Sequence, residues 1–225
     1  MSIKKDIITV ILTAYKRDHF DLQIPAILEQ SIKPDKIYIW QNENHVDLSF
    51  YKQKYQNSIS IIKSETNFKF WGRFALATLF STEYVAIFDD DIIPGPKWLE
   101  NCLRLSKEKN CIIGANGRTI NNTNIDLDSP DIEAAFVGHC WFFKKEWLHY
   151  MYAIEPYTYE NGEDIHFCAC CKILGGITSW VPEQFGDFNS TLKDFGDDSI
   201  ATCKTSNHSE IRKKIIDHFK LMGWK

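Results

Sequence analysis

Three consecutive aspartates, Asp89, Asp90 and Asp91, follow directly on the apolar run Tyr84-Val85-Ala86-Ile87-Phe88. Adjacent carboxylates disfavour one another's ionisation unless a cation relieves the repulsion. The apolar run reads as a buried central strand, and strand alternation predicts Asp89 and Asp91 on one side with Asp90 on the other. Two carboxylates on one side, with room for waters and phosphate oxygens, suit Mg²⁺ or Mn²⁺ bound jointly with a diphosphate. The plainer reading is an acidic turn capping the helix that begins near Pro96, which a single Asp would favour. Phosphatases of the haloacid dehalogenase type also place Asp-x-Asp after a strand, but their motif opens the chain and continues into small or hydroxyl residues. Here Ile92-Ile93 follow, at mid-chain.

A second acidic pair, Glu163-Asp164, stands at the expected N-terminus of a helix running to Leu174, where the helix dipole favours ionised carboxylates. From local sequence Asp164 reads equally as an ordinary acid opening a helix or as a carboxylate that takes a proton or stabilises positive charge. Arg17 and Arg73 are candidate diphosphate contacts, because a guanidinium fork matches phosphate oxygens. His208, flanked by Asn207 and Ser209, precedes the last helix, and a neutral imidazole there would suit Mn²⁺. Asp197 and Asp198 could reach the same ion. In the aromatic run Val137 to Phe143, alternation puts Trp141 toward an acceptor.

The elements that must carry these residues alternate. Short β-rich runs occur at Ile7–Thr13, Lys36–Trp40, Ser58–Ile62, Tyr84–Phe88 and Cys111–Ala115. Segments with helical spacing lie between them, at Phe20–Gln30, Phe70–Phe80 and Pro96–Lys107. Strands alternating with helices predict an α/β fold with a doubly wound, mainly parallel sheet, and such sheets bind ligands beyond the carboxyl ends of their strands. Strand ends at Thr13–Arg17, Gln41–Asn44 and Asp89–Asp91 are polar, as that rule requires. The second half adds a strand at Phe136–Phe143, the acidic turn and helix from Asn161, a short strand at Ile177–Val181, an irregular tail over Pro182–Ser209 and a last helix from Glu210. No linker or repeat divides the chain. It is expected to be a single domain over 1–225, nucleotide-binding over about 7–118 and acceptor-side, with a lid, over about 119–225.

Bulk properties exclude several classes. The 26 basic and 30 acidic residues leave a net charge of −4, without the basic stripe of a nucleic-acid binder. The sole basic cluster, Arg212-Lys213-Lys214, reads as the solvated face of the terminal helix. No apolar run approaches the ~20 residues of a membrane span. The N-terminus has no signal-peptide pattern. Seven cysteines do not close a disulfide framework, which points to reduced, buried thiols and a cytoplasmic location.

Four segments together resemble the GT-A glycosyltransferases, and within them the exostosin-like transferases and their small viral and bacterial relatives. They are Thr13-Ala14-Tyr15-Lys16-Arg17, Trp40-Gln41-Asn42, the stretch from Thr66-Asn67 through Arg73-Phe74 to Asp89-Asp90-Asp91, and Asn161-Gly162-Glu163-Asp164-Ile165. The resemblance implies a GT-A, Rossmann-like sheet. It implies nucleoside or nucleotide-sugar binding by Thr13, Tyr15, Arg17, Asn42, Asn67, Arg73, Asp89 and Asp90, and a metal on Asp91 with Asp89 and His208. It also implies Asp164, with Glu163, at the reacting sugar. Where the exostosin-like pattern carries a cysteine, this chain has Gly162, so the associated disulfide is not expected.

The expectation is therefore a Mn²⁺- or Mg²⁺-dependent glycosyltransferase, of hexosyl or deoxyhexosyl type. It would move a sugar from a UDP-sugar to a glycan or other hydroxyl acceptor, leaning toward retention. The alternatives are a sugar-1-phosphate nucleotidyltransferase, whose glycine-rich loop is missing between Thr13 and Phe20, and a non-catalytic carbohydrate-binding protein of the same fold.

Overall fold

The computed structural model describes residues 7–126, 130–195, 204 and 207–225. Its first half follows the alternation in the sequence: β1 (Ile8–Ala14), α1 (Phe20–Leu28), β2 (Lys36–Asn42), α2 (Ser49–Lys54), β3 (Ser60–Ser64), α3 (Gly72–Ala77) and β4 (Tyr84–Phe88). Then come β5 (Ile92–Ile93), α4 (Trp98–Lys109), β6 (Ile112–Arg118), β7 (Ile132–Ala134), β8 (Phe136–Lys144), α5 (Leu148–Met151), α6 (Glu163–Gly175), β9 (Ser179–Val181), β10 (Lys193–Asp194) and α7 (His208–Leu221). The short elements α2, α5, β5, β7 and β10 carry too few residues to show a period, and the sequence did not reveal them. The last helix starts at His208, two residues before the expected Glu210.

Eight strands form one sheet in the order β3-β2-β1-β4-β8-β6-β9-β7. The first four are parallel, as βαβ units demand. Beyond them the sheet is mixed: β8 runs antiparallel between β4 and β6, and β9 is parallel to β6 but antiparallel to β7. The fold is thus α/β with a mixed sheet whose first four strands in that order, β3, β2, β1 and β4, are parallel.

Alternating side chains divide the core into two layers. Ile8, Val10 and Leu12 of β1 and Tyr84, Ala86 and Phe88 of β4 pack on α1 and α4, with Phe20, Ile24, Trp98 and Leu99. Ile11, Val85 and Ile87 face the opposite layer, with Phe74 of α3, Ile165 and Phe167 of α6, and Ile215 and Phe219 of α7. Helices covering both faces leave the carboxyl edge of the parallel strands as the open edge, and the polar strand ends gather there. The described cysteines are all free and buried. Among the described residues no helix is long and apolar enough to cross a membrane.

Candidate functional site

The triplet lies in a tight turn, because β4 ends at Phe88 and pairing resumes only at Ile92. Strand alternation therefore does not apply to it, and the expected pairing of Asp89 with Asp91 is corrected. Asp89 turns to Arg73. Asp90 and Asp91 converge instead on one atom, Arg17 Nη1, at 2.8 and 3.1 Å. Two buried glutamines, Gln23 in α1 and Gln30 just after it, brace the turn and the segment that follows. Gln23 Nε2 donates to the carbonyls of Asp89 (2.8 Å) and Ile92 (2.9 Å), and Gln30 Nε2 donates to that of Gly95 (2.7 Å). Both look like ordinary polar positions of an amphipathic helix, so the sequence carried no signal for that role.

Arg73 is expected from the sequence to contact phosphates, and the structure gives its Nη atoms carboxylate partners within the protein. The residue is 3% exposed, and its guanidinium bridges Asp89 to Glu163 Oε1, the latter at 3.1 Å. The expectation for Trp141 is corrected. Its side chain points into the layer that α3 and α6 pack over the sheet, against the ring of Phe74. The indole is 2% exposed, donates to the Val137 carbonyl at 3.1 Å and lies 4.5 Å beneath the Arg73 guanidinium. Trp141 thus supports Arg73 and offers no platform to an acceptor.

Glu163 and Asp164 open α6 as expected, both nearly buried. Arg212 of α7 grips Asp164 with both nitrogens, at 3.0 and 2.7 Å, and the Ile165 N–H adds a third bond at 2.8 Å. Burial opposes ionisation of Asp164, but the Arg212 guanidinium outweighs it and holds the carboxyl below its usual range. Glu163 goes the other way. Burial first, and the Asp164 charge second, push it up to about 7 against the opposing pull of Arg73 and Arg212. Two adjacent carboxyls are thereby driven apart, one fixed as an anion and one poised near neutrality.

Arg212 was missed as a site residue; the cluster 212–214 looked solvated. The signal was present. Arg212 lies three, four and seven residues before Ile215, Ile216 and Phe219, on the buried stripe of α7. His208 belongs to the same group: its Nδ1 is 3.0 Å from Asn161 Nδ2, and burial, then the Arg212 charge, lower its pKa. The metal set Asp89–Asp91–His208 is not assembled, and among the described residues no three His, Cys, Asp or Glu side chains converge on a cation position. Asp197 and Asp198 lie outside the described residues.

The docking of α7 makes Gly162 demanding. It precedes α6 at φ +81°, and a Cβ there would collide with Ile215 Cδ1. Gly162→Ala is expected to cost roughly 1–2 kcal/mol for the left-handed backbone and a further ~1–3 kcal/mol from overpacking. Urea denaturation would show this as a lowered midpoint.

At the ends of β1 and β2 the structure joins three residues expected to bind a nucleoside, Tyr15, Asn42 and Asn67. Asn67 Nδ2 donates to the Tyr15 hydroxyl at 3.2 Å, and Asn42 Nδ2 donates to Asn67 Oδ1 at 3.0 Å. Asn42 also donates to the Lys69 carbonyl and accepts the Phe68 N–H, so its amide shapes the 67–69 loop where base contact was expected. His45 packs edge-on against the Tyr15 ring at 5.0 Å, a partner the sequence did not indicate. Thr13 Oγ1 and Arg73 Nε, both at this edge, are buried and have no hydrogen-bond partner among the described residues. Buried polar groups normally find partners, and a ligand is one way to supply them.

The donor set fits a shared divalent cation better than a protein cage. Asp90 and Asp91 already bind positive charge at one point, Arg17 Nη1, and Mg²⁺ and similar ions take one or two carboxylates plus phosphate oxygens and water. The candidate pair is therefore Asp90 with Asp91, in place of Asp89 with Asp91.

No protein-family model and no curated protein matches the sequence. Solved structures do match in shape. Residues 1–349 of TarS from S. aureus superpose with a TM-score of 0.59 at 13% identity, over 79% of this chain and 60% of that one. The same fragment in complex with UDP gives 0.57 at 14% identity, with the same coverage. A longer TarS structure gives 0.57 at 14%, over 79% of this chain and 36% of its own. The protein thus spans 60% or less of the TarS chains it matches, and what it shares with them is the α/β fold.

Proposed function

We propose that the protein is a glycosyltransferase that moves a sugar from a UDP-sugar to a hydroxyl acceptor with the help of a divalent cation. The observation that carries this reading is the Asp89–Arg73–Glu163 bridge, which ties the acidic strand end to a carboxyl poised near pH 7. The fold shared with TarS, which has been solved in complex with UDP, supports the donor class. No glycine-rich loop replaces Thr13–Arg17, which weighs against a nucleotidyltransferase.

In this reading Tyr15 and Asn67 flank the nucleoside, with Asn42 bracing the loop that carries Asn67. Thr13 Oγ1 is available to the donor, and Arg17 lies where the diphosphate charge would develop. Asp90 and Asp91 would hold Mn²⁺ or Mg²⁺, which supplies positive charge to the leaving diphosphate. The acceptor O–H attacks the anomeric carbon, the bond to the diphosphate oxygen breaks, and the proton passes to Glu163. Asp164, kept anionic by Arg212, presents negative charge to the oxocarbenium-like sugar. A base of this kind favours direct displacement with inversion over the retention that the exostosin-like resemblance implies. The anomeric proton coupling of the product, read by NMR, decides between them.

Titration with UDP in the presence of Mn²⁺ tests the reading. Wild type is expected to bind UDP and to hydrolyse a UDP-sugar slowly in a Mn²⁺-dependent manner. Asp91→Ala is expected to weaken the Mn²⁺-dependent part by at least the roughly 10–100-fold that loss of even an outer-shell partner costs. Absence of UDP binding in wild type overturns the transferase reading and leaves a non-catalytic binding protein. UDP binding that is unchanged in Asp91→Ala overturns the metal assignment.

A further inference from the structure

Beside the nucleoside loop lies a cavity of about 660 Å³, within the range of small-ligand sites, that the machinery above does not use. Two loops wall it. One, between β3 and α3, contributes Asn67, Phe68, Lys69 and Trp71; the other, between α5 and α6, contributes Tyr152, Glu155 and Tyr159. The loops are tied together. Trp71 Nε1 donates to the Tyr159 carbonyl at 3.1 Å, the two rings meet edge-on at 5.3 Å, and Lys69 pairs with Glu160. The cavity is therefore preformed, with the buried Trp71 ring as its inner wall and three exposed rings around it. Phe68 is 52% exposed, Tyr152 47% and Tyr159 57%.

The lining specifies an occupant. Exposed aromatic rings with phenolic tips offer apolar faces beside hydrogen-bonding groups, and the C–H face and hydroxyl rim of a pyranose present the same combination. Charge excludes other classes. Lys69 is paired with Glu160, and Glu155 adds a further negative charge, so an anionic ligand finds no net positive field. A purely apolar ligand would desolvate Asn67, Lys69 and Glu155 without serving them. Position adds a third argument. Asn67 lines the cavity and also bonds Tyr15 and Asn42, Trp71 lies two residues before Arg73, and Tyr159 lies four before Glu163.

We propose that this aromatic cavity is a saccharide subsite that takes a neutral pyranose of the acceptor and aims the adjoining hydroxyl toward Glu163. The acceptor is then a glycan of at least two residues, one held in the cavity and one at the carboxylates. That last step rests on the transferase reading; the sugar-binding cavity does not.

Saturation-transfer NMR on the full chain, with maltotriose, cellotriose and N-acetylchitotriose as probes, tests it. At least one trisaccharide is expected to receive saturation at its ring protons. The signal is expected to fall at least fivefold in Tyr159→Ala and in Tyr152→Ala and to be kept in Tyr159→Phe, with the Mn²⁺-dependent UDP isotherm unchanged in all three. Both alanine changes are at exposed rings, and a thermal melt matching wild type checks that each variant is folded. Failure of all three sugars, or a signal that survives both alanine changes, overturns the proposal. So does binding of the apolar dye ANS, lost in the alanine variants, with no sugar response, which assigns the cavity to an apolar partner. Sugar binding that depends on Tyr152 and Tyr159 in a protein that binds no UDP keeps the cavity and overturns the transferase reading alone.

Discussion

Replacing Glu163 with Gln is expected to reduce turnover by about 10²–10⁴-fold, the usual contribution of a positioned general base. UDP affinity should stay near wild type, because the change keeps a hydrogen-bonding oxygen toward Arg73 and lies apart from the Tyr15–Asn67 group. The pH profile carries the sharper test. With its pKa at about 7, Glu163 must lose its proton to act, so wild-type kcat/KM should rise through an acidic limb near pH 7. Glu163→Gln should lack that limb. A variant that keeps both the limb and the rate overturns the assignment and returns the role to Asp164.

The same shift has a consequence for stability, with the opposite sign. Between the unfolded carboxyl pKa of about 4.3 and about 7, the native state holds a proton on Glu163 that the unfolded chain has released. Stability from this group therefore falls as pH rises across that window. Asp164 behaves conversely. Its lowered pKa stabilises the native state above the ordinary carboxylate range, and that contribution is lost as pH falls through its folded value. An acid melt would show the Asp164 contribution disappearing at low pH, while activity falls earlier, near neutrality, through Glu163.

Arg212→Ala is the second large expectation. It removes both bonds to Asp164 and leaves a buried carboxylate without its main partner, a change that costs about 3–5 kcal/mol. For a chain of this size that is on the order of a 10 °C fall in the thermal midpoint. Removing both charges, in Asp164→Asn combined with Arg212→Met, should recover a substantial part of the loss, because the penalty is the stranded charge. If the single and double variants melt together, the α7 packing of Ile215, Ile216 and Phe219 carries the stability and the ion pair does not. Arg212→Ala should also relieve the pull of this guanidinium on both carboxyls, moving the acidic limb of activity upward.

The chain order of strands and helices in the first half could be read from period alone. The runs at Lys36–Trp40 and Tyr84–Phe88 fall within or coincide with β2 and β4, because buried parallel strands are continuous apolar segments. The polar residues after them could also be read, since three adjacent carboxylates at the end of a buried strand repel one another unless a cation or a paired charge relieves them. Local sequence likewise placed Glu163-Asp164 at the start of a helix.

What the sequence by itself determined, then, is the α/β alternation and the acidic strand end; the resemblance adds the expectation that Tyr15, Arg17, Asn67, Glu163 and Asp164 share one region. Only the tertiary structure decided which charge meets which. Asp89 is bound to Arg73 and Asp90 with Asp91 to Arg17, because a tight turn, and not a strand, carries the triplet. Trp141 is buried because α3 and α6 pack over its face of β8 and set Phe74 against its ring, a docking that no local pattern encodes. Arg212 reaches Asp164 across 48 residues of sequence, because α7 packs its apolar stripe against α6 and takes the arginine with it. Period and spacing report which faces are buried; the partner of a buried charge is set by contacts distant in sequence. The roles of Glu163 and Asp164 therefore separate only when the chain is folded.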